Sequence, residues 1–160
     1  MNPGFELFGH FFWALCLTTQ AAQYLFASHR LARAHAGQPG RAHAAAIYLR
    51  RATIGIAVPW LIMGWGELSG GSAGVWVYFR PQDGNPFVLG WLASMLALAL
   101  IFTLWVFLAN GARKIVELKL SLNGPAQTSE RKIRFFAAVG PLWILLWIFL
   151  VVWMNVPPPK

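Results

Sequence analysis

Four apolar runs, residues 5–27, 52–68, 87–109 and 135–154, decide what this chain can become. A helix needs roughly 20 apolar residues to cross a ~30 Å hydrocarbon core, and three of the runs reach that length unaided. The second is shorter, but the Ala-rich stretch before it favours helix, and Arg50 and Arg51 can snorkel to the headgroups. Among formally charged residues only Glu6 and Glu67 fall inside the runs, each near an end. A water-soluble four-helix bundle would carry a polar face on every helix. The expected fold class is therefore all-α: a polytopic membrane protein with four transmembrane helices forming a single domain over residues 1–160. The spans are set at about 5–27, 46–68, 87–110 and 134–154. The first is expected to be retained as a span, because no Lys or Arg precedes it and its length exceeds a usual leader core.

Charge sets the orientation. The first connection carries Arg30, Arg33, Arg41, Arg50 and Arg51 with no acid, and the third carries Arg113, Lys114, Lys119, Arg131, Lys132 and Arg134 against Glu117 and Glu130. The second holds Arg80 beside Asp83. Positive-inside bias places loops 28–45 and 111–133 in the cytoplasm of an inner (cytoplasmic) membrane, with loop 69–86 and both termini outside. Trp65, Trp91 and Trp153 then fall near the outer headgroups, where indoles are favoured.

Hydrophobic residues make up 58% of the chain and charged residues 11%, under half the usual ~25%. That excludes a disordered chain, a nucleic-acid-binding domain and most soluble enzymes. The net charge of +8 is accordingly a signal of orientation, with anionic phospholipids as the expected polyanion and no nucleic acid. Arg30, Arg33, Arg50, Arg51, Arg113, Lys114, Arg131, Lys132 and Arg134 are the expected headgroup contacts. The lone Cys16 permits no disulfide framework.

The basic loops read as helical. Residues 28–36 extend the first helix until Gly37-Gln38-Pro39-Gly40 turns the chain. Asn110-Gly111 marks a helix terminus, yet residues 112–122 continue in helical pattern as far as Asn123-Gly124-Pro125, after which Thr128 or Ser129 caps the fourth helix. The chain thus forms two long antiparallel hairpins. Arg50, Pro59, Ile62 and Trp65 match Lys132, Pro141, Ile144 and Trp147 at an offset of 82, too few matches in so apolar a background to carry a duplication. The tail from Val156 reads as a short polyproline segment.

The outer loop joins a glycine-rich stretch to Val75-Trp76-Val77-Tyr78-Phe79 and a turn-rich Arg80-Pro81-Gln82-Asp83-Gly84-Asn85-Pro86. Its first reading is an aromatic segment anchored at the membrane surface. Its second is a docking loop in which Trp76, Tyr78, Phe79, Arg80 and Asp83 meet a partner.

Intramembrane polar groups are functional candidates by default. At 100° per residue, Glu6, His10, Trp13, Cys16, Gln20, Gln23 and Tyr24 share one side of the first helix, opposite Phe8, Phe11, Leu15, Ala22 and Phe26. Interhelical hydrogen bonding accounts for Gln20 and Gln23; the other reading is the wall of a ligand or ion path. His10 is the one histidine within an apolar run and offers an imidazole to haem iron or chlorophyll magnesium. His29, His35 and His43 lack the i, i+4 geometry of a helix-borne metal pair, and no metal site is expected. No phosphate loop, paired carboxylates or activated nucleophile points to catalysis. Three readings follow, in this order: a non-catalytic membrane subunit of a larger inner-membrane complex, respiratory or photosynthetic; a small oligomeric transporter or channel lined by the polar face of the first helix; and a haem- or chlorophyll-binding protein using His10.

Overall fold

The computed structural model describes residues 3–72, 74–121 and 129–154. The described residues are helical and turn-connected, with no strand among them. Five α-helices run in order: α1 (Pro3–Ala34), α2 (Pro39–Leu68), α3 (Pro86–Leu108), α4 (Gly111–Glu117) and α5 (Glu130–Met154). Two 3₁₀ turns, Val75–Phe79 and Pro81–Asp83, lie in the α2–α3 connection. Three helices, α2, α3 and α5, are long and apolar enough to cross a membrane.

Local chemistry explains the boundaries. Between α1 and α2 the turn uses Gly37 at φ +80°, a conformation that favours glycine, and Pro39 opens α2 where its missing N–H costs no bond. Asn85 caps α3 by accepting from the Phe87 N–H, while its side-chain amide donates to the Gly71 carbonyl. Ser129 Oγ accepts from the Lys132 N–H at the start of α5. Asn123-Gly124-Pro125, Thr128 and the polyproline tail lie outside the described residues.

The third helix does not continue through 112–122 as its pattern suggests. Asn110 adopts the left-handed conformation at φ 54°, and α4 begins as a separate helix after it. The fold-back brings Gly111 so close to Trp105 that a β-carbon there would lie 2.6 Å from the indole. The sequence after α4 then passes beneath the first hairpin. His35 Nε2 donates to the Leu118 carbonyl at 3.0 Å, Arg30 donates to the Ser121 carbonyl at 2.8 Å, and Leu118 and Leu120 pack on Ala27, Leu31, Ala45 and Leu49.

The long helices stand in a row. Helix α1 packs on α2, α2 on α3, and α3 on α5. Along α1 and α2 the antiparallel pairing runs from His10 opposite Glu67, through Gln20 opposite Thr53, to Ala27 and Leu31 beside Ala45 and Leu49. Thr103 joins α3 to α5 by donating to the Ala137 carbonyl at 2.6 Å. That carbonyl stands four residues before Pro141, whose missing N–H leaves it without its helical donor.

The offset of 82 has a packing explanation. On α2, Gly55 approaches Leu98, Ile62 approaches Gly90, and Gly66 approaches Phe87, so the face that includes Pro59 meets α3. On α5, the buried Pro141 shares its face with Ala137, which also meets α3. Two parallel helices thus present matching faces to the one between them. Trp65 and Trp147 do not match in environment: the first is exposed and the second packs in the core.

Candidate functional site

The most chemically differentiated region is where α1 begins, α2 ends and the 3₁₀ turns fold back. Three close approaches build it. A β-carbon on Gly64 would lie 2.7 Å from the Trp13 ring, one on Gly66 would lie 2.8 Å from the Tyr78 hydroxyl, and one on Gly71 would overlap Phe87. The stretch Gly64-Trp65-Gly66-Glu67 therefore works as a seat. Its glycines admit an indole from α1 and a phenol from the connection, and the helix phase then turns Glu67 towards α1.

Glu67 gathers the polar groups. Its side chain is only 6% exposed, and its two oxygens have separate partners. Ser72 Oγ donates to Oε1 at 3.0 Å, and His10 Nδ1 stands 3.1 Å from Oε2. The Tyr78 hydroxyl lies 3.5 Å from Ser72 Oγ and donates to the Met63 carbonyl at 3.3 Å. Burial pushes the Tyr78 phenol above its ordinary value; the Ser72 bond opposes this and the negative charge of Glu67 adds to it. With the Ser72 proton on Glu67 and the Tyr78 proton on the Met63 carbonyl, the two hydroxyls only adjoin each other, and the His10–Glu67–Ser72 contacts and the Tyr78–Met63 bond together fasten α1, α2 and the connection.

Around it lies a continuous set of ring contacts. Trp91 of α3 meets Trp60 of α2 at 6.2 Å, Tyr78 at 5.6 Å and Trp147 of α5 at 5.7 Å. Phe12 of α1 meets Trp60 at 6.1 Å, and Phe79 meets both Trp147 and Trp76. Every long helix touches this lattice. Trp91, expected at the headgroups, is instead buried at its hub.

The aromatic segment of the outer loop is folded inward. Tyr78 is 1% exposed, and Trp76 and Phe79 are half-buried against the same core. Only the end of the segment faces out: Asp83 is exposed, and Arg80 pairs with it at 3.1 Å. Of the rings in this segment, Tyr78 thus belongs to the internal packing, while Trp76 and Phe79 keep part of their surface open.

On α1, Gln20 is buried and donates to the Thr53 carbonyl; its own oxygen has no hydrogen-bond partner. Cys16, Gln23 and Tyr24 are half-buried, and Tyr24 packs with the Ala27 and Leu49 cluster. Phe8, Phe11, Leu15 and Phe26 are exposed on the other side. At the basic end, Arg30, Arg33, Arg50, Arg51, Arg113, Arg131, Lys132 and Arg134 are exposed and Lys114 is half-buried. Arg113 pairs with Glu117, Arg134 with Glu130 and Arg33 with His29, while Lys114 lies 5.8 Å from the Tyr48 ring centre. Among the described residues no group of three or more His, Cys, Asp and Glu is placed to hold a metal ion.

The His10–Glu67 pair was legible only in part. Both residues drew notice as polar groups near span ends, but 57 positions separate them. The two glycines flanking Trp65 are the signal that a bulky neighbour approaches there. No family model, curated protein or solved structure matches this chain, so its own residues carry the functional argument.

Proposed function

We propose that this protein is a four-span, non-catalytic subunit of a larger inner-membrane assembly, and that α5 is the helix it offers to a partner. Two points support α1 as the fourth span. It pairs antiparallel with α2 along the length of that helix, and Phe8, Phe11, Leu15, Leu25 and Phe26 are exposed along it. The orientation rests on charge: the α1–α2 turn and α4 share one end of the row with eleven of the thirteen basic residues, which puts that end in the cytoplasm and both termini outside. Anionic headgroups there interact with the basic residues at about 1 kcal/mol each.

One observation carries the subunit reading. The α2 positions that receive α1 are Thr53, Trp60, Gly64 and Glu67, which meet Gln20, Phe12, Trp13 and His10. The corresponding positions on α5, at the same offset that aligns the two prolines, are Phe135, Leu142, Leu146 and Phe149, and these are 46–65% exposed. Helix α5 therefore has the α3-facing side of α2, but among the described residues no helix stands against it in the place α1 occupies on α2. A transmembrane helix of another subunit fits that place, held by shape, since lipid provides no hydrophobic drive between helices. The transport reading loses support on α1, where Gln20 and Trp13 are engaged with α2.

Extraction in mild detergent followed by native electrophoresis tests the reading. A stoichiometric partner should co-migrate, and a cysteine at Leu146 in a Cys16→Ser background should cross-link to it while one at the lipid-facing Leu15 should not. Migration as an isolated monomer or a pure homo-oligomer would defeat the subunit reading and leave transport by self-assembly in its place.

A further inference from the structure

The chain has five acidic side chains, and four of them are held by other groups. Glu67 meets His10 and Ser72, Asp83 meets Arg80, Glu117 meets Arg113 and Glu130 meets Arg134. The fifth, Glu6, belongs to the first turns of α1, at the far end of the helix row from α4. Lys114 and Arg51 pair with none of the four. Their counter-charge has to come from outside the chain.

Lys114 is not a freely solvated lysine. It is half-buried, with Nζ 5.8 Å from the Tyr48 ring centre, and Tyr48 in turn meets Trp105 of α3 at 5.7 Å. The left-handed Asn110 and the close approach of Gly111 to Trp105 set α4 in the direction that brings Lys114 to α2. Arg51 stands one turn beyond Tyr48 on α2. Helical side chains lean towards the N-terminus, so the reach of Arg51 covers the turn that holds Tyr48. Two cations from different helices thus border one Tyr–Trp seam, and tyrosine and tryptophan are favoured at headgroup depth. Ile54, one turn further along α2, and Phe102, whose ring meets Trp105 at 6.1 Å, are exposed beside the seam. Charge, aromatic rings and apolar surface follow one another as the phosphate and chains of a phospholipid require. A lysine offers phosphate a point charge and an arginine a fork of N–H donors. A carboxylate from a partner would meet the cations but leave the apolar surface below them unused. We infer that Lys114 and Arg51 hold the phosphodiester of one anionic phospholipid, with its acyl chains on the α2–α3 seam at Ile54 and Phe102. This rests on the placement of the basic end at a membrane surface, and not on the assembly reading, whose face is on α5.

Native mass spectrometry of the full-length protein, with dioleoyl phosphatidylglycerol or dioleoyl phosphatidylcholine added in detergent, tests it. One phosphatidylglycerol should bind saturably, and phosphatidylcholine at least about tenfold more weakly. Lys114→Gln and Arg51→Gln should each weaken phosphatidylglycerol binding about fivefold. Lys132→Gln, which removes the same charge from an exposed position on α5, should bind as the unaltered protein does. Inorganic phosphate should not compete, because it brings no chains; competition would assign the cations to a free anion and overturn the inference. The two lipids compared on the unaltered protein decide even if a variant fails to fold. Equal binding of both overturns the inference, as does an equal loss in Lys114→Gln and Lys132→Gln. Loss of a co-purifying subunit from Lys114→Gln, without any lipid preference, would give the cations to a partner's acid and overturn it too. Absence of any partner on a native gel would defeat the assembly reading and leave the lipid site standing.

Discussion

The two ends of the helix row are built on opposite principles. At the end that carries the α2–α3 connection, Glu67, Tyr78 and Trp91 are withdrawn from the surface, three glycines admit bulky neighbours, and ring contacts reach every long helix. At the basic end most charged side chains stay exposed, and acids meet bases one helical turn apart on the same helix. The first end is specified by shape and changes little without consequence. The second is specified by the sign of its charge, which individual residues can satisfy in many arrangements. In a membrane protein these tasks separate naturally, because packing must distinguish one helix neighbour from another while topology needs only a bias in Lys and Arg.

The comparison is most exposed to failure at Trp91. Each aromatic pair contributes about 0.5–1.5 kcal/mol beyond area burial, and Trp91 makes three such contacts, on α2, on the outer connection and on α5. Trp91→Ala should therefore lower stability by about 2–4 kcal/mol, since lipid cannot reach the buried site to replace the lost contacts. Denaturant unfolding in detergent micelles, followed by circular dichroism, measures it. A loss under about 0.5 kcal/mol would mean that the outer end is not the specified one.

A sharper contrast comes from the same substitution made at both ends. A methyl group on Gly66 meets the Tyr78 hydroxyl at 2.8 Å and both Phe87 and Ser72 Oγ at 3.0 Å, and these neighbours are held by the Glu67 network. Overpacking of this kind costs about 1–3 kcal/mol. Gly40, in the first turn of α2, has nothing within 4 Å of its β-position and no positive φ. Gly40→Ala should be neutral or stabilising by up to about 1 kcal/mol, because alanine gives up less backbone freedom than glycine on entering a helix. Paired melting curves of Gly66→Ala and Gly40→Ala should move in opposite directions or differ by several degrees; coincident curves would erase the distinction between the ends.

Much of the architecture was legible because apolar length, prolines and caps act locally. The run lengths anticipated α2, α3 and α5 as membrane-crossing helices, and Gly37 with Pro39 marked the α1–α2 turn. Asn110 shows the limit. It was legible as a terminus, but the helical pattern after it gave no sign that α4 departs in a new direction, because the contact of Gly111 with Trp105 is tertiary. The inward turn of Tyr78 was hidden for a related reason. An aromatic residue beside a membrane is favoured both at the headgroups and in a core, and only the vacant space at Gly66 selects between them. His10 and Glu67 were each visible, but nothing local pairs residues on antiparallel helices.

The weakest expected effect belongs to the ion pairs of the basic end, and it completes the comparison. Arg113 Nε lies 2.6 Å from Glu117 Oε1, good geometry by distance alone. Both side chains are more than half exposed, at 69% and 53%, so water competes for the charges and salt screens what attraction remains. An exposed pair one turn apart on a helix contributes little to stability. Within α4 the orientation is also the less favourable one, with the base N-terminal to the acid and the acid in the last turn. Glu117→Gln should therefore leave the melting curve close to that of the wild type, with any difference vanishing as salt is raised towards molar concentrations. The same substitution raises the net positive charge of the connection, so it should not weaken the topological bias, and a reporter placed after Gly124 should remain cytoplasmic. A clear loss of stability that persists in high salt would show that α4 is held by a specific, desolvated contact. The basic end would then be specified by shape as well, and the division of labour between the two ends would fail.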